Sequence, residues 1–437
     1  MIPFVFILTL SPIISAQCFV ADPYNPRNLT HRNCDMITEQ PKKNNLNAAI
    51  KNDTMFDITL TCNANDTICN KVKIAFDTAA QIISSTFILN SRISLNASFI
   101  SFCNGVPNCR NAIVLGQAAP SSWILLQDDD NTQRLYPQAL VKQFQFPTHP
   151  AYTSYDIFAM FNSDIPYWFA SDPPIRPDQY DFLYVMLHEL IHGLGFGSSW
   201  EEYLPGLVTP MPAINPLSST KFDLYSSDPQ ANDKVKFYEW AFDKYMIFIN
   251  GTKTSSLTIQ LNKFFSGRSG TQADFDNNFD KSNQYSLARN MYLISQTPNS
   301  LAFMPQGSTN PSDSLILETS FRPFRQGSSI SHVDAATYMN TSDFLMRAQA
   351  RNGTTINMLT GNFSYGSGIG PILKKTMETM GYTSLDNPNP YRPSIIDPST
   401  LTSSSNTIKP YRLRLDIGLI ITIITTLVLY ILPKEMA

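Results

Sequence analysis

The sequence predicts an α+β protein with a mixed sheet, followed by a mostly irregular or helical C-terminal lobe. Three observations carry this prediction. Apolar residues recur at helical spacing in residues 68–87, apolar and polar residues alternate in residues 92–102, and residues 181–196 (DFLYVMLHELIHGLGF) form a strongly apolar helix. Helices and strands thus intermix in the first half of the chain, which favours helices packed on a sheet.

The first predicted helix buries one face, formed by Val72, Ala75, Phe76, Ala79, Ala80 and Ile83. A strand follows at residues 92–102, and YDIFAMFNS within residues 151–169 is a second strand, which we expect to offer an edge to an extended peptide. Asp178 or Asp181 is expected to cap the helix at 181–196, and Gly193 and Gly195 to end it.

Beyond residue 200 the predicted structure is less regular. Residues 200–325 mix Pro, Ser and Asn with short periodic pieces, among them YEWAFD, which we assign to a helix carrying Glu239. A last helix is predicted at residues 371–380, ending at Gly381. Residues 386–411 are rich in Pro, Ser and Asn and are predicted to form a stalk.

The composition and net charge limit the kinds of molecule that the protein is expected to bind. The chain has 437 residues and a net charge of −3, so it has no basic excess for nucleic acid, and we expect none as a partner. Charged residues make up 15%, below the roughly one quarter usual for soluble domains. Asn, Ser and Thr supply the polarity instead, which favours an extracellular glycoprotein.

Both ends of the chain carry apolar runs. Residues 3–15 and the small residues Ser15 and Ala16 predict a signal peptide at residues 1–16. Residues 417–432 form a second run, which predicts either a single transmembrane helix or a GPI-anchor signal. The protein is therefore expected in the secretory pathway, with its body on the extracellular face and its C-terminus tethered to a membrane.

Cysteines and glycosylation sequons agree with that location. The six cysteines all precede residue 110, and loop closure favours pairing of neighbours: Cys18–Cys34, Cys62–Cys69 and Cys103–Cys109. Asn-X-Ser/Thr sequons predict N-glycans at up to eight positions, namely Asn28, Asn52, Asn65, Asn96, Asn250, Asn340, Asn352 and Asn362.

The segment HELIH, residues 188–192, carries the strongest functional signal. His188 and His192 lie one helical turn apart on one face, so both imidazoles can reach one metal ion. Glu189 lies one step round the helix, where its carboxylate can meet a water molecule. Zinc lowers the pKa of bound water, and a carboxylate can take the proton as the water attacks a carbonyl. The motif predicts a peptide hydrolase with one catalytic zinc and Glu189 as its base.

A catalytic zinc needs a third protein ligand. The remaining histidines are His31, His149 and His332, and His149 is predicted to lie in a surface loop. Glutamates offer a second kind of ligand, and Glu239 stands out because the predicted helix places Asp243 one turn on. The residues alone leave these alternatives open, and they also leave open a non-catalytic, zinc-binding cell-surface glycoprotein.

The segment HELIHGLGF resembles the metzincin motif H-E-x-x-H-x-x-G. The usual metzincin has His or Asp three residues after that glycine, whereas this chain has Ser198. In the leishmanolysin branch the third histidine lies far downstream in a Ser-His segment, followed by a Leu-Met turn. Ser331-His332-Val333-Asp334 and Phe344-Leu345-Met346 resemble that arrangement, and METMGY at residues 377–382 resembles that branch's closing helix.

The resemblance implies a two-lobed, metzincin-like zinc endopeptidase that acts on peptides or proteins. His332 becomes the expected third ligand and Met346 the expected Met-turn residue, with Met339 as the alternative. The expected organisation has five parts: signal peptide 1–16, a cysteine-containing segment 17–49, a zinc metallopeptidase catalytic domain 50–385, the stalk 386–411 and the membrane anchor 412–437.

Overall fold

The structure is a computed structural model, and it describes residues 15–23, 28–37, 54–103, 114–214, 235–265, 275, 277–308, 313–361 and 368–396. All of these belong to the first of two compact units, residues 1–396. Residues 1–14 of the predicted signal peptide and the whole predicted membrane anchor lie outside the described residues. Within those ranges, no helix is both long and apolar enough to cross a membrane.

The structure has the α+β class and the mixed sheets that the sequence predicts. A four-stranded sheet has the order β3-β4-β9-β5. Its strands are β3 (Phe56–Cys62), β4 (Ile93–Ile100), β9 (Ile157–Asn162) and β5 (Gly116–Pro120). The first three run parallel, and β5 pairs antiparallel with β9. Strand β9 is therefore interior, and the prediction that it offers a free edge is wrong; among the described strands, that edge belongs to β5.

Helices α1 (Asp66–Thr86) and α3 (Phe182–Gly193) pack against this sheet and against each other. The buried face of α1 consists of the six apolar residues that the periodicity predicts. Alternate residues of β4 are buried, which confirms the predicted strand. Asn65 caps α1 by accepting a hydrogen bond from the backbone N–H of Ile68.

A larger sheet of eight strands has the order β14-β15-β7-β6-β1-β2-β8, with β19 also paired to β6. All its pairings are antiparallel except that of β15 with β7. Its strands, in chain order, are β1 (Ser15–Ala21), β2 (Leu29–Ile37), β6 (Ser122–Gln127), β7 (Gln133–Pro137), β8 (His149–Pro150), β14 (Met211–Ile214), β15 (Val235–Trp240) and β19 (Ser394–Ile395).

Two of these strands bear on the expected domain boundaries. Strands β1 and β2 come from the cysteine-containing segment 17–49, and β1 pairs with both β2 and β6. Strand β19 comes from the predicted stalk and pairs with β6. The compact unit therefore includes the described part of residues 17–49 and the first residues of the predicted stalk, 386–396.

The second half of the described chain combines short helices with small sheets. A three-stranded antiparallel sheet joins β16 (Met246–Phe248), β17 (Leu301–Phe303) and β18 (Leu315–Ile316). The remaining strands form two pairs: β10 (Tyr167–Trp168) with β11 (Tyr180–Asp181), and β12 (Glu201–Leu204) with β13 (Leu207–Thr209). The remaining helices are α2 (Gln138–Val141), α4 (Ser255–Leu261), α5 (Asn283–Ile294), α6 (Ala335–Tyr338), α7 (Ile356–Thr360) and α8 (Pro371–Met380).

Two predictions about this half have opposite outcomes. Helix α8 has the predicted bounds, and Gly381 follows it at positive φ. The predicted helix at YEWAFD is wrong, because Glu239 lies near the end of strand β15 and only a short 3-10 helix, Phe242–Tyr245, follows. Phe237, Tyr238 and Glu239 are all buried, so the strand lacks the alternation of buried and exposed residues that marks a half-buried strand.

The structure supports the predicted disulfides. Cys18 is bonded to Cys34 and Cys62 to Cys69, as loop closure predicts. Cys103 is also disulfide-bonded, and Cys109 lies outside the described residues. Among the sequon asparagines, five are exposed and Asn96 is half-buried on β4; Asn52 and Asn362 lie outside the described residues. The exposed five are Asn28, Asn65, Asn250, Asn340 and Asn352.

Candidate metal centre

Helix α3 carries the two histidines of the HELIH segment. It begins after Asp181, whose carboxylate accepts from the backbone N–H of Leu183 at 2.9 Å and from that of Ile356 at 2.8 Å. The prediction that Asp181 caps the helix is thus confirmed. The same carboxylate also holds the distant segment that contains Ile356. A Cβ on Gly193 would lie 2.4 Å from Ile157, so this glycine lets the helix lie directly on β9.

Three imidazoles meet beside this helix. The Nε2 atoms of His188 and His192 lie 3.1 Å apart, and each lies 3.2 Å from Nε2 of His332. His332 is 140 residues away from His192 in sequence. Among the described residues, these three side chains form the group of possible metal ligands whose donor atoms all lie within 4.8 Å of one another.

The other ring nitrogen of each histidine faces a backbone carbonyl. His188 Nδ1 lies 2.7 Å from the oxygen of Leu345, His192 Nδ1 lies 2.7 Å from that of Phe196, and His332 Nδ1 lies 3.0 Å from that of Ser328. A carbonyl can only accept, so each Nδ1 carries the proton. The three Nε2 atoms then point unprotonated lone pairs at one point, an arrangement that calls for a cation between them.

The three nitrogens fit a zinc ion. Nitrogens held about 2.0 to 2.1 Å from one tetrahedral zinc lie roughly 3.3 Å from each other, close to the separations of these Nε2 atoms. Burial lowers the pKa of His188 to about 3 and that of His192 to about 4. Burial also lowers the pKa of His332, with the two neighbouring imidazoles adding to the effect. All three are therefore neutral near pH 7, as metal ligands must be.

Glu189 lies beside the three histidines and lines the same cleft. The backbone N–H of Ala118 in strand β5 donates a hydrogen bond to its carboxylate. Burial raises the pKa of Glu189 to about 8, and this hydrogen bond opposes the rise. A cation among the imidazoles would favour the carboxylate form. The side chain thus lies between the histidines and the edge strand of the four-stranded sheet.

Gly195 turns the chain after α3. Its φ is +109°, and a Cβ there would lie 2.7 Å from Pro137, so glycine is required for both backbone and packing reasons. The turn brings the carbonyl of Phe196 back to His192. Ser198, which stands where the usual metzincin has its third ligand, donates to Asp243 Oδ1 at 2.6 Å, and its N–H donates to Ser331 Oγ at 3.1 Å. Ser198 therefore fixes the residue next to His332.

The segment containing Met346 supports two ligands at once. The carbonyl of Leu345 accepts from His188, and the carbonyl of Met346 accepts from the N–H of Val333, next to His332, at 2.8 Å. Met346 is fully buried, whereas Met339 is 46% exposed on the surface. Of the two methionines considered for a turn under the metal, only Met346 has the burial that this position requires.

The structure does not bring the other ligand candidates to this site. Glu239 accepts from Arg134, Ser255 and Thr258 in a buried ionic cluster. His149 is buried on β8 beside the Tyr152 hydroxyl, so its predicted surface position is wrong. His31 is on β2 and contacts Phe19. Of the four, His332 alone joins the two histidines of α3.

The three histidines open onto a cleft of about 740 Å³. The cleft is lined by strand β5 and by residues 326–328 and 347–350, among others. Sequence reasoning missed β5, because GQAAP lacks the β-branched residues that mark a strand. It also missed the carbonyls that orient the imidazoles, since every residue carries one and no sequence signal distinguishes these three.

Comparison with known proteins gives the family. The SPBPB7E8-like family matches residues 18–408, and the chain belongs to it. Over 365 residues the chain is 28% identical to PB7E8.01, an uncharacterized protein of Schizosaccharomyces pombe, covering 75% of this chain. The chain spans 63% of the length of that relative. No solved structure matches this chain.

Proposed function

We propose that the protein is a zinc-dependent endopeptidase of metzincin type, with the split ligand set of the leishmanolysin branch. One observation carries the proposal: three Nε2 lone pairs converge from α3 and from His332, with Glu189 beside them in an open cleft. His188, His192 and His332 would hold one zinc ion, and Met346 would occupy the turn beneath it.

In this proposal, Glu189 and three backbone carbonyls have separate roles in catalysis. A zinc ion held there supplies Lewis-acid activation of water and of a peptide carbonyl. Glu189 accepts the proton from the attacking water at a carboxylate oxygen and passes it to the leaving amide nitrogen. The backbone carbonyls of Leu345, Phe196 and Ser328 keep the three imidazoles oriented and increase their basicity as ligands.

Strand β5 supports binding of an extended peptide. Ala118 directs its N–H at Glu189, so its backbone faces away from β9 and towards the cleft. Gly116, two residues earlier, shares that orientation because strand backbones alternate. A substrate strand added at this edge would pass over the histidines with backbone hydrogen bonds on one side. Substrates are therefore expected to be peptides or unfolded protein segments.

The arrangement on both sides of the cleft supports a two-lobed, metzincin-like catalytic domain at residues 50–385. The four-stranded sheet with α1 and α3 would form one lobe. The small sheets and short helices that carry His332 and Met346 would form the other. In this proposal the helix supplies two ligands and the base, and the second lobe completes the metal site.

The test compares wild type with Glu189→Gln on an unfolded protein substrate such as reduced casein. We expect cleavage by wild type that the chelator 1,10-phenanthroline abolishes, and a loss of at least about 10²-fold in Glu189→Gln. Equal zinc content in both proteins would show that the site is intact in the variant. A zinc-loaded wild type without peptidase activity would instead identify a non-catalytic zinc-binding glycoprotein.

We also propose that the protein travels the secretory pathway, carries N-glycans, and is tethered through residues 412–437 by a transmembrane helix or a GPI anchor. The disulfides Cys18–Cys34 and Cys62–Cys69 and the five exposed sequon asparagines support this location. Removal of N-glycans by an endoglycosidase should increase gel mobility. Release from membranes by a phosphatidylinositol-specific phospholipase would identify the GPI anchor, and retention the transmembrane helix.

A further inference from the structure

Arg347 is a buried cation in the wall of the cleft. It is 5% exposed, and its Nη2 atom has no hydrogen-bond partner among the described residues. Its Nε donates to the carbonyl of Phe344 at 3.3 Å, and its guanidinium hydrogen-bonds the hydroxyl of Tyr184. No carboxylate within the described ranges forms an ion pair with it.

The position of Arg347 is close to the histidines. It directly follows Met346, and it forms a β-bridge with Val333, the neighbour of His332. Tyr184, its partner on α3, is one helical turn before His188, which is about 6 Å along the helix axis. Arg347 therefore lines the same cleft as the three histidines, close to the metal site.

The charge balance of the cleft makes this cation unusual. The ionisable carboxylates among its lining residues are Glu189, which faces Ala118, and Glu201, which accepts from the N–H of Gly327 at 2.9 Å. Arg347 is the one permanently positive side chain in the described lining. An unpaired buried guanidinium is costly, and the other buried arginine among the described residues, Arg134, has carboxylate partners.

We infer that Arg347 is a specificity-determining residue that binds a substrate carboxylate, and that the protein selects peptides with Asp or Glu near the scissile bond. This inference rests on the proposed peptidase function. The two terminal nitrogens of the guanidinium can donate two hydrogen bonds in the fork geometry that matches a carboxylate. A neutral or basic side chain at that position leaves the guanidinium unpaired and is rejected.

Cleavage of a peptide library, read by mass spectrometry, tests the inference in the full-length, zinc-loaded protein. Wild type should enrich Asp and Glu at one position near the cleaved bond. For matched peptides with Glu or Gln there, kcat/KM should favour Glu by at least about tenfold. Arg347→Gln should reduce this ratio to near one, and Arg347→Lys should restore part of it.

Arg351→Gln is the matched control. Arg351 is exposed four residues later and does not line the cleft. Its loss removes one positive charge from the same segment, so a general electrostatic effect would appear in both variants. We expect the Glu/Gln ratio to stay at the wild-type value in Arg351→Gln. A purely structural role of Arg347 would lower the rates for both peptides together and leave the ratio unchanged.

A binding measurement separates this inference from the proposed function. Fluorescence anisotropy in Glu189→Gln would compare a capped, labelled, alanine-rich octapeptide carrying one central Glu with its Gln counterpart. We expect at least about fivefold tighter binding of the Glu peptide, lost when Arg347→Gln is added. Selective binding without any cleavage by wild type would overturn the peptidase and keep the carboxylate site. Cleavage without an acidic preference, or equal binding of both peptides, would overturn the role of Arg347.

Discussion

The carbonyl of Leu345 accepts a hydrogen bond from Nδ1 of His188 at 2.7 Å, across a separation of 157 residues. The next carbonyl, that of Met346, accepts from Val333 beside His332. One short segment therefore orients a ligand on α3 and also holds the segment that supplies the third ligand. The geometry of the three histidines depends on the packing of this segment as much as on the helix itself.

Replacement of the buried Met346 tests that dependence. Met346→Ala should lower the free energy of unfolding by about 2 to 5 kcal/mol, because it leaves a cavity beneath the site. It should also weaken zinc binding, by about 10- to 100-fold, as loss of an orienting contact does. Met346→Leu, which conserves volume, should cost less than about 1.5 kcal/mol. Urea unfolding and competition with a zinc chelator measure both effects.

Met339→Ala serves as the control for Met346. Met339 is 46% exposed, so its removal should change stability by no more than about 0.5 kcal/mol and leave zinc affinity unchanged. If Met339→Ala weakened zinc binding and Met346→Ala did not, the turn beneath the metal would have to be reassigned to residues around Met339.

Zinc content identifies the third ligand. Purified wild type should contain one equivalent of zinc, and His332→Ala should lose most of it, because two imidazoles do not hold a catalytic ion. His31→Ala should keep a full equivalent, since His31 lies on β2 away from the triad. Metal analysis by mass spectrometry after dialysis provides the measurement. Retention of zinc by His332→Ala would contradict the split ligand set.

The buried pair of Arg134 and Glu239 should matter for stability and not for metal binding. Glu239→Gln removes the negative charge of one carboxylate that pairs with the fully buried guanidinium of Arg134. We expect a loss of about 3 kcal/mol in unfolding free energy. Zinc content should remain at one equivalent. Asp57→Asn breaks the more exposed pair with Arg92 and should cost less than about 1 kcal/mol. Loss of zinc in Glu239→Gln at unchanged stability would instead identify Glu239 as a zinc ligand.

Asp243 should make stability fall as pH rises. Burial, with a smaller effect of Glu239, raises its pKa from 3.8 to about 6. The folded protein therefore keeps a proton that the unfolded chain releases, so this stabilising contribution is complete below pH 3.8 and is lost as pH rises through about 6. Asp243→Asn removes that contribution.

The measurement for Asp243 is the unfolding free energy of wild type and Asp243→Asn at pH 4.5 and pH 6.5. From the lower to the higher pH, the unfolding free energy of the variant relative to that of wild type should rise by up to about 2 kcal/mol. Lost hydrogen bonds to Ser198 and Ser199 add a cost that does not depend on pH. A difference between the two proteins that stayed constant with pH would show that Asp243 does not titrate in this range.

Elements with a clear local pattern were predictable. The buried face of α1, the alternation of β4, the cap and glycines of α3 and the end of α8 at Gly381 depend on residues close in sequence. The predictions that failed concern position within a sheet. Whether β9 is interior, whether YEWAFD is a strand, and whether His149 is buried all depend on which distant strands lie alongside.

The features of the candidate metal site also divide into those that local sequence predicts and those that tertiary packing sets. The sequence by itself determined that His188, Glu189 and His192 share one helical neighbourhood, because 3.6 residues per turn requires it. Tertiary structure decided that His332 joins them, that Leu345 orients His188, and that Arg347 lines the cleft without a carboxylate partner. Those relationships span 140 residues or more, or depend on burial. Their physical cause is the packing of segments distant in sequence into one hydrophobic core, which no local spacing encodes.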